Sequence, residues 1–153
     1  MALAFNDAVE VGASGNATSE TIAVTISGAD RCVWVWVNSR SDPTVSGVTV
    51  DGVSMGSSIA TVTRSLSWGA LYRLIAPNTG TVNVVGSWGS SETNMEVLAY
   101  TGVDQTTPEG TVATATGSPA TSPSVTVSSS TSTVGGASSS GLISRPAART
   151  GIP

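Results

Sequence analysis

The side chains able to do chemistry in this 153-residue chain are few: ten carboxylates, one thiol at Cys32 and 46 Ser and Thr hydroxyls, with no histidine and no lysine. Without an imidazole or an amine, acid–base and nucleophilic work falls to the carboxylates and the thiol. A glycosidase needs only two suitably separated carboxylates, and Asp7, Glu10, Glu20, Asp30, Asp42, Asp51, Glu92, Glu96, Asp104 and Glu109 form the pool. Asp42, Asp51 and Asp104, however, adjoin Pro, Gly or a turn, where aspartate serves the backbone. Cys32 lies in an apolar run, where a free thiol behaves as a small hydrophobe, and a single cysteine makes no intrachain disulfide. The sequence shows no phosphate-cradling glycine loop, nucleophile elbow or His/Cys metal spacing, and no EF-hand-like spacing for calcium. The expectation is a protein that is not an enzyme and that holds no cofactor and no metal. Asn16-Ala17-Thr18 matches a glycosylation sequon, which matters only in a chain secreted by a eukaryotic cell.

Charge points the same way. Net charge is −4, and the six arginines (Arg31, Arg40, Arg64, Arg73, Arg145, Arg149) are scattered, so no basic stripe exists to neutralise a phosphate backbone. The amino terminus, Met1-Ala2-Leu3-Ala4-Phe5-Asn6-Asp7, has neither the basic nor the apolar region of a secretory signal. No run reaches the roughly 20 apolar residues of a membrane span. These features predict synthesis in the cytoplasm, no nucleic acid and no membrane. A neutral, hydroxyl-rich β domain nonetheless suits life outside a cell. A virion component reconciles the two, and a trimmed extracellular or cell-surface protein is the alternative.

The elements that must position these residues are strands. Period-two alternation punctuated by Gly, Pro, Asn and Asp predicts strands near 3–11, 20–27, 31–38, 46–50, 53–62, 68–75, 81–88, 94–101, 109–116 and 123–128. Their spacing, with no helical period anywhere, predicts an all-β fold: a two-sheet antiparallel β-sandwich, jelly-roll-like, over residues 1–130. Asp51-Gly52 can supply the two left-handed residues of a type I′ hairpin. In Ala76-Pro77-Asn78-Thr79-Gly80, proline presets a turn and Gly80 absorbs its awkward backbone angle.

The segment Arg31–Asn38 turns Val33, Val35 and Val37 to one face and Cys32, Trp34 and Trp36 to the other. Both faces are apolar, so the second needs a cover: the same chain, another subunit, or, for an exposed aromatic platform, a sugar ring. Trp68 and Trp88 sit in alternating strands and read as core before platform. Beyond about Thr116 the composition turns to Gly, Ser, Thr, Pro, Ala and Val. Residues 131–153 read as a Ser/Gly-rich linker and carboxy-terminal arm, within which Leu142, Ile143, Arg145 and Arg149 join Trp34 and Trp36 as interface candidates.

Asp30-Arg31 before an apolar strand, Val45-Ser46-Gly47-Val48-Thr49-Val50-Asp51-Gly52, the run 71–84 around Ala76-Pro77-Asn78-Thr79-Gly80, and Leu98-Ala99-Tyr100-Thr101-Gly102-Val103-Asp104-Gln105-Thr106-Thr107-Pro108 carry a resemblance. Over roughly residues 18–130 the chain resembles a β-sandwich domain of bacteriophage virion structural proteins and of bacterial secreted or surface proteins. Longer members continue with further strands where this chain has its Arg/Pro/Ala tail, which implies an open edge that a neighbour's strand could fill. The resemblance implies a non-enzymatic virion structural protein, a capsid decoration or cement subunit or a tail component. It would bind copies of itself or other virion proteins. The alternative is an extracellular adhesin or carbohydrate-binding module whose partner is a host-surface glycan.

Overall fold

The computed structural model describes residues 4–12, 17–40, 42–64, 67–109, 112–116, 135–138 and 141–144. Nine strands build two antiparallel sheets: β1 (Ala4–Gly12), β2 (Ser19–Ile26), β3 (Cys32–Ser39), β4 (Gly47–Val50), β5 (Val53–Ser54), β6 (Ala60–Arg64), β7 (Ser67–Ile75), β8 (Gly80–Ser87) and β9 (Thr93–Thr101). A separate hairpin joins β10 (Gly135–Ser138) to β11 (Gly141–Ser144).

The pairings are nested. β4 pairs with β5, β3 with β7, β2 with β8 and β1 with β9, as in one long antiparallel ribbon with its tip at Asp51-Gly52. Rolling that ribbon brings β3 beside β9 and β4 beside β8. The resulting orders, β1-β9-β3-β7-β6 and β2-β8-β4-β5, are those of an eight-stranded jelly roll with β6 added at one edge. The roll is filled by strands between residues 4 and 101, so neither sheet needs a neighbour's strand to complete it.

Alternation explains the core. Val33, Val35 and Val37 of β3, Met95 and Val97 of β9, and Trp68, Ala70 and Tyr72 of β7 face Ile22, Val24 and Ile26 of β2, Val82 and Val84 of β8, and Val48 and Val50 of β4. Trp88 seals one end: its Nε1 donates to Ala17 O at 2.9 Å, and its ring lies over Gly86, where a Cβ would fall 2.5 Å from it.

The hairpin tip forms as the sequence predicts, with Asp51 at φ 50° and Gly52 at φ 77°. Gly80 takes φ 104°, and Ala76 also turns left-handed, at φ 51°. Two predicted strands differ from the fold. The stretch 53–62 is divided: β5 closes the hairpin on β4, then Met55–Ile59, with Gly56 at φ 70°, carries the chain to the other sheet, where β6 begins. The stretch 109–116 forms no strand in its described part; Val112 to Thr116 are irregular and exposed. From 112 to 116 its alternation offers only Val, Ala and Thr, and all five of these side chains are exposed. Residues 123–128 lie outside the described residues.

The edge along β2 is closed by side chains. A bulge between Phe5 and Asp7 re-aims Asn6, whose Oδ1 accepts from Ser27 N at 3.1 Å, while Asp7 Oδ2 accepts from Thr25 N at 2.9 Å. Donors at the outer edge of β2 are thereby occupied, which blunts an otherwise sticky edge.

Candidate functional site

Strand register builds the outer face of the five-stranded sheet. Trp34 stands between Leu98 of β9 and Arg73 of β7, Trp36 between Glu96 and Leu71, and Cys32 between Tyr100 and Ile75. Gly69 leaves room for Trp36 to lie flat on β7, since a Cβ there would be 2.6 Å from Trp36 Cζ2. Cys32, Trp34 and Trp36 form a second apolar cluster with Ala60, Leu71, Tyr100 and Val103. The second face of the doubly apolar strand is thus covered within the chain.

Part of the cover is a strap that follows β9. Gly102 N and Val103 N donate to Ala29 O and Asp30 O. Gln105 Nε2 donates to Arg31 O at 3.2 Å, Asp104 Oδ1 accepts from the N–H groups of Thr106 and Thr107, and Pro108 is buried. Glu109 then pairs with Arg73 on the outer face. That pair is incompletely satisfied: among the described residues, buried Arg73 Nε and Glu109 Oε2 have no hydrogen-bond partner, and nor do the indole nitrogens of Trp34 and Trp36. Burial of the two indoles opposes the cost of leaving these polar atoms unpaired.

The thiol is packing too. Cys32 is fully buried, and that burial pushes its pKa from 9.0 to about 12 against a smaller lowering by Arg73. At neutral pH it remains a protonated hydrophobe. The carboxylates are dispersed among local tasks. Asp42 accepts from Thr44 N, Asp51 from Asn78 Nδ2 at 2.8 Å, and Glu92 pairs with Arg40. Among the described residues no three His, Cys, Asp or Glu side chains converge on a possible metal position.

The interface candidates are placed as follows. Trp34 and Trp36 are 2% and 5% exposed, and Trp68 and Trp88 are 8% and 3%; none presents a ring to a neighbour or a sugar. Leu142 and Ile143 lie in β11, opposite Ala137 and Gly136, so the predicted arm begins with a strand. Arg145, Arg149 and the sequon's Asn16 lie outside the described residues.

The four-stranded sheet presents the other outer face, which sequence reasoning did not single out. Thr21, Ala23 and Thr25 of β2, Thr81 and Asn83 of β8 are exposed, and Val85 and Thr49 are half-buried. The signal was available: apart from Asn83, every second residue of these strands is small or hydroxylated, and none of them is charged.

The chain matches no protein-family model, no curated protein and no solved structure. The class is set by the fold: an all-β, two-sheet antiparallel sandwich.

Proposed function

We propose that this chain is a non-enzymatic structural subunit of a bacteriophage virion, a capsid decoration or cement protein or a tail component, working through contacts between subunits. One observation carries the proposal. The fold buries its thiol and all four tryptophans, the carboxylates with described bonds are spread among turns and ion pairs, and what remains outside on one sheet is an uncharged, hydroxyl-rich surface. Jelly rolls recur in capsid proteins and in lectins, which is a fold-level analogy. Between those two, burial of all four tryptophans removes the aromatic platform that the glycan-binding reading relies on.

The test is to fractionate the native source on a density gradient and follow this chain's peptides by mass spectrometry. Co-migration with large particles is the expected result. Recovery solely as a free species of about one chain mass overturns the proposal.

A further inference from the structure

The two outer faces of this sandwich are unlike each other. Over the five-stranded sheet the chain lays its own strap, fastened by Arg73 and Glu109. The four-stranded sheet has no such cover among the described residues: alternate residues of β2 and β8 read exposed or half-buried along their whole length. No outward position on β2, β8, β4 or β5 is charged. The register sets Thr21, Val85, Thr49 and Ser54 in one row across all four strands, with Ala23 beside Asn83 in the next. Among the described residues, charges stand at the margin: Glu20 at the start of β2, in phase with its inward side chains, Asp51 held by Asn78, and Asp7 held by Thr25 N.

We propose that this face is where copies of the chain pack on one another, sheet against sheet. The inference rests on the structural-subunit reading and names the surface and the partner. Soluble domains keep such faces apart with interspersed Lys and Glu, and this one has neither. Depletion of charge is the compositional mark of an interface core. A partner bringing ionised groups would strip them of water with no counter-charge to meet. An identical face brings none and satisfies a two-fold contact with itself, and small Thr, Ala and Val side chains allow two sheets to approach to about 10 Å.

The area is sufficient for a modest contact. The four strands hold 22 residues, which at about 3.4 Å rise and 4.8 Å spacing project to about 360 Å². With side-chain relief on both copies, the pair buries on the order of 1,000 Å², at the lower bound for a specific interface. The pairing is therefore weak and concentration-dependent in free solution, and it gains strength when many copies are held together.

The experiment is sedimentation velocity of the full chain over a wide concentration range, with three variants. Thr21→Arg/Thr49→Arg and Ala23→Arg place like charges across the proposed contact, and Thr107→Arg adds the same charge on the strap. Tryptophan fluorescence reports whether each is folded, and Ala23→Arg provides a second reading if the double variant does not fold. The expected result is reversible self-association of the wild-type chain and of Thr107→Arg, weakened at least about tenfold in the two sheet-face variants. Monomers at every concentration, or association unchanged by the sheet-face variants, overturn the proposal. Particle binding in the same gradients reads the structural-subunit proposal separately. A chain that self-associates through this face but never accompanies particles overturns only that reading. Equal particle binding by wild-type and sheet-face variants, with self-association by neither, overturns only this one.

Discussion

Burial raises the Cys32 thiol from 9.0 to about 12, and two consequences follow at the scale of that residue. Alkylating reagents should leave the native thiol unmodified at pH 8 and label it once the chain is unfolded, as intact mass would record. The second consequence is a pH dependence of stability. The unfolded chain releases this proton at the ordinary value while the folded chain keeps it, so the native state binds more protons between pH 9.0 and about 12. This contribution is whole below the unfolded value and is lost as pH rises through that window, at up to about 1.4 kcal/mol per pH unit. Tyr72, also raised by burial and by Asp42, adds loss of the same sign. Denaturant midpoints taken across the alkaline range should therefore fall more steeply for wild type than for Cys32→Ala; parallel curves would refute the assignment. Another single-residue constraint is Gly69. A methyl there meets Trp36 Cζ2 at 2.6 Å, and the buried ring cannot swing away, so Gly69→Ala should cost about 1–3 kcal/mol in a urea titration. The inert thiol and the turn role of Asp51 were legible in the sequence, because each depends on near neighbours. The left-handed Thr44 and Ala76 were not. Thr44 is held by Asp42, whose Oδ1 accepts its N–H, and by Pro43, whose carbonyl accepts from Gly89 N; Ala76 is held by Arg31, whose carbonyl accepts its N–H. Nothing local requires the angle at Ala76, and at Thr44 the local turn at Asp42 is joined by the distant contact from Gly89.

At the scale of elements, alternation located the strands that bury a face and misled where none is buried. β3 was legible because its Val and Trp sets each find a cluster. The predicted strand 109–116 failed because Val112 ends 43% exposed and its neighbours bring no apolar row. The division of 53–62 turned on Gly56, a breaker inside an apparently continuous pattern. Neither the bulge at Asn6 nor the plugging of the β2 edge has a sequence signal, since the bulge depends on β1 pairing with distant β9 and the plug joins residues about twenty positions apart. The plug is testable. Asp7→Ala frees the Thr25 N–H and should lower stability by about 1 kcal/mol. It should also raise light scattering on prolonged incubation, as the exposed edge recruits other chains. An unchanged midpoint and clear solution would show that Asp7 does not guard this edge.

For the whole molecule, a jelly-roll-like sandwich was legible and the strand pairings were not. Composition and spacing predicted a sandwich, but the nested pairing joins β1 to β9 and β2 to β8 across most of the roll, and a period-two pattern carries no information about which strand lies beside which. For the same reason the strap was invisible: its anchor, Glu109 on Arg73, joins residues far apart in sequence. It bears on function, because it takes Trp34 and Trp36 out of contention as exposed contacts and shifts attention to the uncharged face of the other sheet. The arm remains part of the structural-subunit proposal. A chain ending at Ser144 should fold with the same tryptophan fluorescence and enter particles less efficiently; equal incorporation would remove the arm from the account.

The central claim concerns a structural part, and a structural part is present in a fixed number of copies. The most direct measurement is absolute peptide quantification of this chain in extensively washed particles from independent preparations, as a ratio to the most abundant shell protein. The account predicts the same ratio in every preparation, unmoved by further washing. A ratio that varies between preparations and falls toward zero with washing would show an adhering contaminant and contradict the account.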